Sequence, residues 1–244
     1  MDAREDIRSL MLRAGAGRVL EWGAYHWPSA TMRRDRRDNR HAVVAMAARL
    51  TPDANCVDVG AHRGAFLAHM ARMAPQGSHV ACEPLPHLAR ALRERFPSVT
   101  VHEVALSDAS GEATFHFLPT MQGFSGLRDV APGEHEVREL RVRTARLDDV
   151  LDPERPVALI KIDVEGAELG VLDGAERTLR RWHPVVLLEH GVAAKSFGTT
   201  SAEVHGRLAA AGLRVYDMDG DGPLSAEQVA ARIGDGERWN WLAR

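Results

Sequence analysis

Four short stretches carry residues whose types and spacing could do chemistry together, and each follows a run that reads as a buried strand. The first is Asp58-Val59-Gly60-Ala61-His62-Arg63-Gly64, a glycine turn ahead of a helical pattern. Glycine lets a backbone approach a ligand closely, and the helix N-terminus that follows favours a carboxylate or small anion. The spacing is G-x-x-x-G rather than the G-x-G-x-x-G of a dinucleotide cradle, so a pyrophosphate is poorly served. The second stretch, Glu83-Pro84, offers a carboxylate that can accept two hydrogen bonds from a ribose diol; its bland alternative is an acid favoured at a helix start. The third and fourth end in Asp163 and in Glu189-His190. An alcohol gives up its proton only with help, so an acid or imidazole there would act as general base, or the carboxylates would hold a cation that does the same work.

The elements that must position these groups can be read from periodicity. Cys56 to Val59, His79 to Cys82, Val99 to Val104, Val157 to Asp163 and Val185 to Glu189 are apolar runs of strand length. Between them lie helical patterns, with Phe66, Leu67, Met70 and Met73 in one, Leu85, Leu88, Leu92 and Phe96 in another, and a helix from about Ala167 to Arg181. Strands alternating with helices predict right-handed crossovers and a doubly wound, mostly parallel α/β sheet, in which ligands bind beyond the strand C-termini. All four stretches fall at such ends. Residues 111–147 break the alternation with shorter strands around Gln122-Gly123-Phe124-Ser125-Gly126, which predicts a small β insertion over the sheet. Leu213 to Tyr216 and Trp239 to Leu242 are expected to form an antiparallel pair at one sheet edge. Two segments are expected, an N-terminal helical or lid segment over 1–40 and a catalytic domain over 41–244. Within the first, Arg33 to Arg40 reads as a solvated helix face, and Trp22, Tyr25 and Trp27 as core, lid or subunit contact.

Composition excludes whole classes. The 244 residues suffice for a full core without disulfides or a structural metal, and 45% hydrophobic with 27% charged residues is globular rather than disordered. A formal net charge of -3 offers no basic track, so nucleic acid is not expected as a partner. Only Cys56 and Cys82 are present, both in apolar runs, which fits reduced thiols in the cytoplasm; the N-terminus is broken by charges, so neither a signal peptide nor a membrane span is expected. Of 31 basic residues only Lys161 and Lys195 are lysine, so the lysine inside an apolar strand at 161 reads as a specific buried or pocket-lining group, or as a snorkelling one. Glu165 and Glu168 read as acids favoured at the start of a helix.

A nucleoside bearing a carboxylate tail fits the first two stretches, and S-adenosylmethionine is such a molecule. At this level the chain resembles the FkbM-type S-adenosylmethionine-dependent methyltransferases. The residues that carry the resemblance are Val57 to Gly64, Glu83-Pro84, Ala105-Leu106-Ser107-Asp108 with Gly111, Leu147 to Leu151, and above all Ile160-Lys161-Ile162-Asp163-Val164-Glu165-Gly166-Ala167-Glu168. The resemblance implies the class I methyltransferase (Rossmann-like) fold, a seven-stranded mostly parallel sheet with helices on both faces. It also implies O-methylation of a sugar or polyketide-like natural product. Asp58, Gly60, His62 and Gly64 would hold the methionine portion, Glu83 with Pro84 the ribose, and Ala105 with Leu106 the adenine. His62 stands where the family commonly has asparagine, and His190 where an aliphatic residue is more usual.

For the transfer itself the expected catalytic groups are Asp163, His190 and Glu189. Their placement is similar to that of the catechol-type O-methyltransferases, where acids after strands four and five hold Mg²⁺. A metal-free base is favoured here, because histidine is a poor ligand for so hard a cation. The acceptor is expected over the 111–135 insertion with Phe124 and Ser125, and a homodimer is the base-rate assembly. Two other readings compete: a nicotinamide-dependent oxidoreductase, and a catalytically silent subunit that keeps the cofactor fold.

Overall fold

Short apolar runs bounded by turn residues become strands because only a sheet satisfies their backbone while both faces are covered. The computed structural model describes residues 29–131, 133, 135–235 and 238–244. The chain divides after Arg40 into two units; of the first, residues 30–40 are the opening part of helix α1 (Ala30–Arg49). Trp22, Tyr25 and Trp27 lie outside the described residues.

The second unit holds the alternation that periodicity predicts. It runs β1 (Cys56–Val59), α2 (Ala65–Met73), β2 (Val80–Cys82), α3 (Pro86–Arg95), β3 (Thr100–His102) and β4 (Ala105–Leu106). Then come β5 (Gly111–Phe117), β6 (Arg138–Ala145), α4 (Leu147–Val150), β7 (Leu159–Ile162), α5 (Glu168–Gly174) and α6 (Glu176–Trp182). The chain closes with β8 (Val185–Glu189), α7 (Ser201–Ala210), β9 (Val215–Asp217), α8 (Ala226–Gly234) and β10 (Asn240–Ala243). Seven strands form one sheet in the order β3-β2-β1-β7-β8-β10-β9, parallel except that β10 runs antiparallel to both neighbours. This is the sheet expected of the class I methyltransferase fold. The antiparallel pair at the edge forms as expected, with β10 inserted between β8 and β9. The insertion is a separate three-stranded sheet, β4-β6-β5. The run read as a third strand over Val99 to Val104 forms strand only at Thr100–His102, and Ala105 with Leu106 belongs to the insertion's sheet.

One core lies on each face. Val57, Val59, Ile160, Ile162, Val186 and Leu188 face one apolar cluster, while Cys56, Leu159, Val185 and Leu187 face the other with Leu67, Met70 and Leu92. Because strand side chains alternate, Asp58, Lys161, Asp163 and Glu189 fall on the α2 side and His190 on the opposite one. The helix expected over 167–181 is two helices that break at Ala175. Gly174 there passes so close to Ser107 that a Cβ would stand 2.1 Å from its carbonyl oxygen. Asp148 then caps the second helix, accepting from the Arg177 and Thr178 amides at 2.9 Å each and from the Thr178 hydroxyl at 2.7 Å. Among the described residues no helix is long and apolar enough to cross a membrane.

Candidate active site

Register brings the chemistry together. Val59 pairs with Cys82 on one side and Ile162 on the other, and Ile162 pairs with Leu188, so Gly60, Glu83 and Asp163 are the first residues beyond their strands at one sheet edge, where Glu189 ends β8. Above that edge lies a cleft of about 750 Å³, solvent-open mouth included, lined by Gly60, His62, Glu83, Pro84, Ala105, Leu106, Asp163 and Glu165 among others. Gln122, Gly123, Ser125 and Gly126 of the insertion form its far wall. Phe124 is not in that lining and is exposed.

Glu83 is 4% exposed, yet its carboxylate is fully oriented. Oε2 accepts the His62 amide at 2.8 Å and Oε1 accepts the Leu85 amide at 2.9 Å. Each oxygen keeps a further lone pair, the arrangement that a cis-diol with two O–H donors would complete. Burial pushes the Glu83 carboxyl up to about 7; the two amides and Lys161 pull the other way, and Asp58 adds to the rise. His62 takes a left-handed φ of 48°, and its Nε2 is buried without a hydrogen-bond partner among the described residues. Burial first, then Arg63, lowers its pKa, so the imidazole is neutral near pH 7. An unsatisfied ring nitrogen, a two-oxygen acceptor and an apolar slot at Leu85, Ala105, Leu106 and Phe115 suit a nucleoside with a polar tail.

Asp58 and Gly64, expected beside Gly60 and His62, lie off the cleft. Asp58 is 1% exposed and stands 3.8 Å from Lys161 Nζ, beneath the floor. Burial raises its carboxyl, with Lys161 opposing and Asp163 adding to the shift. Gly64 has φ 74°, and a Cβ there would meet Phe96 at 2.6 Å and Leu92 at 2.8 Å, so its small size serves the packing of α2 on α3. Gly60 lines the cleft, but the space its missing Cβ leaves holds the Asp163 carbonyl oxygen, 1.8 Å from where that Cβ would be. Both glycines bring protein segments together.

Lys161 settles between its two sequence readings as a buried group. Nζ donates to Asp163 Oδ2 at 2.9 Å and to the Gly60 carbonyl at 3.3 Å, and lies over the Phe66 ring at 5.5 Å. Burial alone would lower its pKa, but Asp163 and Asp58 outweigh that and hold it above the ordinary lysine value. Asp163, Glu165 and Glu189 bring one oxygen each within 4.8 Å of one another. The positive charge at this cluster is the Lys161 ammonium.

His190 is the clear departure. It is 2% exposed, on the opposite face of the sheet from Asp163, with Nδ1 3.2 Å from Glu168 Oε2 and Nε2 3.3 Å from Ser201 Oγ. Its amide continues the pairing with the last strand, donating to the Trp239 carbonyl at 2.7 Å, so it keeps the strand alternation that turns Glu189 one way and His190 the other. The expectation of His190 as base at the acceptor is therefore corrected: it braces Glu168 inside the fold. Glu165, read as a helix-start acid, instead precedes the helix with φ 52° and lines the cleft. The glycine at 166 was the one sequence signal of that turn.

Residues 58–215 match the model of the Methyltransferase FkbM domain. The AMB antimetabolite synthetase AmbE of Pseudomonas aeruginosa is 34% identical over 182 residues, covering 58% of this chain and 8% of that protein. Methyltransferase 1 of Beauveria bassiana is 29% identical over 147 residues, 51% of this chain and 59% of that protein. The chain thus spans less than two thirds of the length of these curated relatives. A solved FkbM methyltransferase from Methylobacillus flagellatus KT shows 21% identity over 57% of this chain and 33% of that one, with a TM-score of 0.42. With the family model covering well over half its length, and the motif residues gathered at one sheet edge, the chain belongs to the Methyltransferase FkbM domain family.

Proposed function

We propose that the protein is an S-adenosylmethionine-dependent O-methyltransferase acting on a hydroxyl of a small natural product, a sugar or polyketide-like molecule. The observation that carries the reading is the placement of Glu83, His62 and the Ala105-Leu106 slot in one cleft with Asp163. S-adenosylmethionine, when bound, supplies an electrophilic methyl group on a sulfonium. Glu83 would accept both ribose hydroxyls, Pro84, Ala105 and Leu106 would border the adenine, and Gly60 with His62 would meet the methionine portion. Asp163 and Glu189 would orient the acceptor hydroxyl, and alignment of oxygen, carbon and sulfur is worth several kcal/mol in a displacement of this kind. The Gln122–Gly126 wall would shape the acceptor site, since loops above strand ends are where such folds differ. The biosynthetic setting is supported by the relative named as an antimetabolite synthetase. Mg²⁺ is not invoked, because Lys161 already pairs with Asp163. Further expectations are a cytoplasmic location, a homodimer as the base-rate assembly and no nucleic-acid partner.

Calorimetric titration with S-adenosylmethionine, S-adenosylhomocysteine and NAD, each with and without Mg²⁺, tests the donor. Binding of both adenosyl compounds supports the reading. Binding of NAD alone would replace it with the oxidoreductase, and binding without transfer to any acceptor with the silent subunit.

A further inference from the structure

Five carboxylates stand at or near the place where an acceptor would sit, three of them in the cleft lining, and four of the five are engaged or lie outside that lining. Glu83 is tied to two backbone amides. Asp163 is paired with Lys161 at 2.9 Å, which engages its Oδ2. Glu189, at the end of β8, is outside the cleft lining. Glu168, behind them, is closed off by the Gly166 amide at 2.6 Å and by His190. Glu165 differs from all of these. Its carboxylate makes no hydrogen bond or ion pair among the described residues, and it lines the cleft opposite Gly126 of the insertion, where a Cβ on Gly126 would stand 3.4 Å from the Glu165 Cβ.

We propose that Glu165 is the catalytic base that takes the proton of the acceptor hydroxyl, a role that rests on the methyltransferase reading above. The backbone supports it. Glu165 has φ 52° and Gly166 φ 103°, so two successive residues are left-handed just after Asp163. An L-residue held there is strained, and such strain persists where the surroundings over-determine it. Here the Glu168 carboxylate takes the Gly166 amide, and a Cβ on Gly166 would meet the Ala193 carbonyl oxygen at 2.7 Å, so the turn is locked from two sides. Its result is a side chain on the cleft wall rather than in the first turn of α5.

The charges facing Glu165 are Lys161 from β7 and Asp163 just beyond it, Glu168 from α5 and Glu189 from β8, with Arg128 of the insertion turned onto the Phe197 ring. Burial first, then Asp163 and Glu168, push its carboxyl up to about 8, against Lys161, which suits a base working near neutrality. In the step, Glu165 removes the proton while the acceptor oxygen forms its bond to the methyl carbon. The carbon–sulfur bond breaks with its electron pair going to sulfur. The products are a methyl ether, a neutral thioether and protonated Glu165, which releases its proton to solvent through the open mouth.

The test uses the full chain with methyl-tritiated S-adenosylmethionine and a panel of simple glycosides and phenols. Glu165→Gln should bind S-adenosylmethionine within threefold of the parent yet transfer methyl ~100-fold more slowly, and Glu165→Asp should recover part of the loss. The parent rate should rise with pH through about 8, and the Gln variant should lose that rise. Transfer by Glu165→Gln above a tenth of the parent rate, or with the parent pH profile, would overturn the proposal. So would activity removed by a chelator and restored by Mg²⁺, which would make Glu165 a ligand, or a panel that the donor-bound parent leaves wholly unmethylated. Failure of the parent to bind S-adenosylmethionine would instead sink the methyltransferase reading itself.

Discussion

If Glu83 holds a ribose diol, donor affinity must depend on pH, and the size of the effect follows from its surroundings. Two O–H donors favour the ionised carboxylate, while burial in the ligand-free protein pushes the carboxyl up to about 7. Below that value the free protein carries a proton that binding must expel. The ionised fraction goes from about nine parts in ten at pH 8 to about one in ten at pH 6, so affinity should weaken about tenfold across that interval, ~1.4 kcal/mol. Burial and Arg63 lower the His62 pKa, which moves its own protonation toward the acid end of that interval. Titration calorimetry of S-adenosylhomocysteine in paired buffers of different ionisation enthalpy reads both the affinity and the proton released, close to one per ligand at pH 6. Glu83→Gln should abolish the slope, an analogue lacking both ribose hydroxyls should not show it, and Glu83→Ala should cost ~1.5–3 kcal/mol of affinity at pH 8. Affinity that is flat between pH 6 and 8, or a slope that survives in the Gln variant, would remove Glu83 from the ribose site.

His190→Ala should lower stability by ~2–4 kcal/mol, because it opens a cavity and strips Glu168 of a buried partner; urea unfolding measures this, and donor affinity should stay within a few fold. Gly60→Ala should cost roughly 2–5 kcal/mol in the same assay, since its Cβ would collide with the Asp163 carbonyl and its φ of 72° disfavours any L-residue. The ligand-free protein should also lose stability as pH rises. Glu83 and Glu165 hold protons more tightly folded than unfolded, so their contributions are fully present below the ordinary carboxyl value of 4.5 and fade as pH passes about 7 and about 8. A series of urea midpoints from pH 5 to 8 should show that decline, and Glu83→Gln should flatten part of it; an unchanged decline in that variant would contradict the assignment.

Strand identity and order of chemistry were legible because buried parallel strands write themselves as short apolar runs, and turn residues punctuate them. Gly60, His62, Glu83 and Asp163 could be named from their positions after those runs, Pro84, Ala105 and Leu106 through the family resemblance, and all of them line the cleft. What failed depended on facing or on contact across the chain. Val185 to Leu188 is apolar on both faces, so nothing local told which of Glu189 and His190 would turn to the cleft. The break at Gly174 comes from Ser107, more than sixty positions earlier, and was invisible to helical periodicity. Spacing can also overstate chemistry: Asp217, Asp219 and Asp221 with Gly222 repeat the pattern of a calcium loop. In the fold, Asp217 pairs with Arg232 and Arg238, and its Oδ1 accepts the Asp219 and Asp221 amides, so guanidinium groups supply the positive charge.

Lys161 joins the structural and chemical halves of the site, and its side chain explains why arginine was not used there in a chain that otherwise prefers it. One compact ammonium reaches the Gly60 carbonyl, Asp163 and Asp58 from within the sheet, against the face of Phe66. A planar guanidinium presents its donors in a rigid fork, whereas an ammonium is a compact point charge whose donors rotate toward several acceptors. The same contacts fix the turn after β1 to the end of β7, since Gly60 is bound by Lys161 and lies against Asp163 at once. The nucleoside side of the cleft and its acceptor side are therefore held at one spacing by a single buried charge. That charge also sorts the carboxylates, engaging Asp163 while leaving Glu165, three positions after Ile162 and without a hydrogen bond among the described residues, as the base with a proton affinity matched to the task.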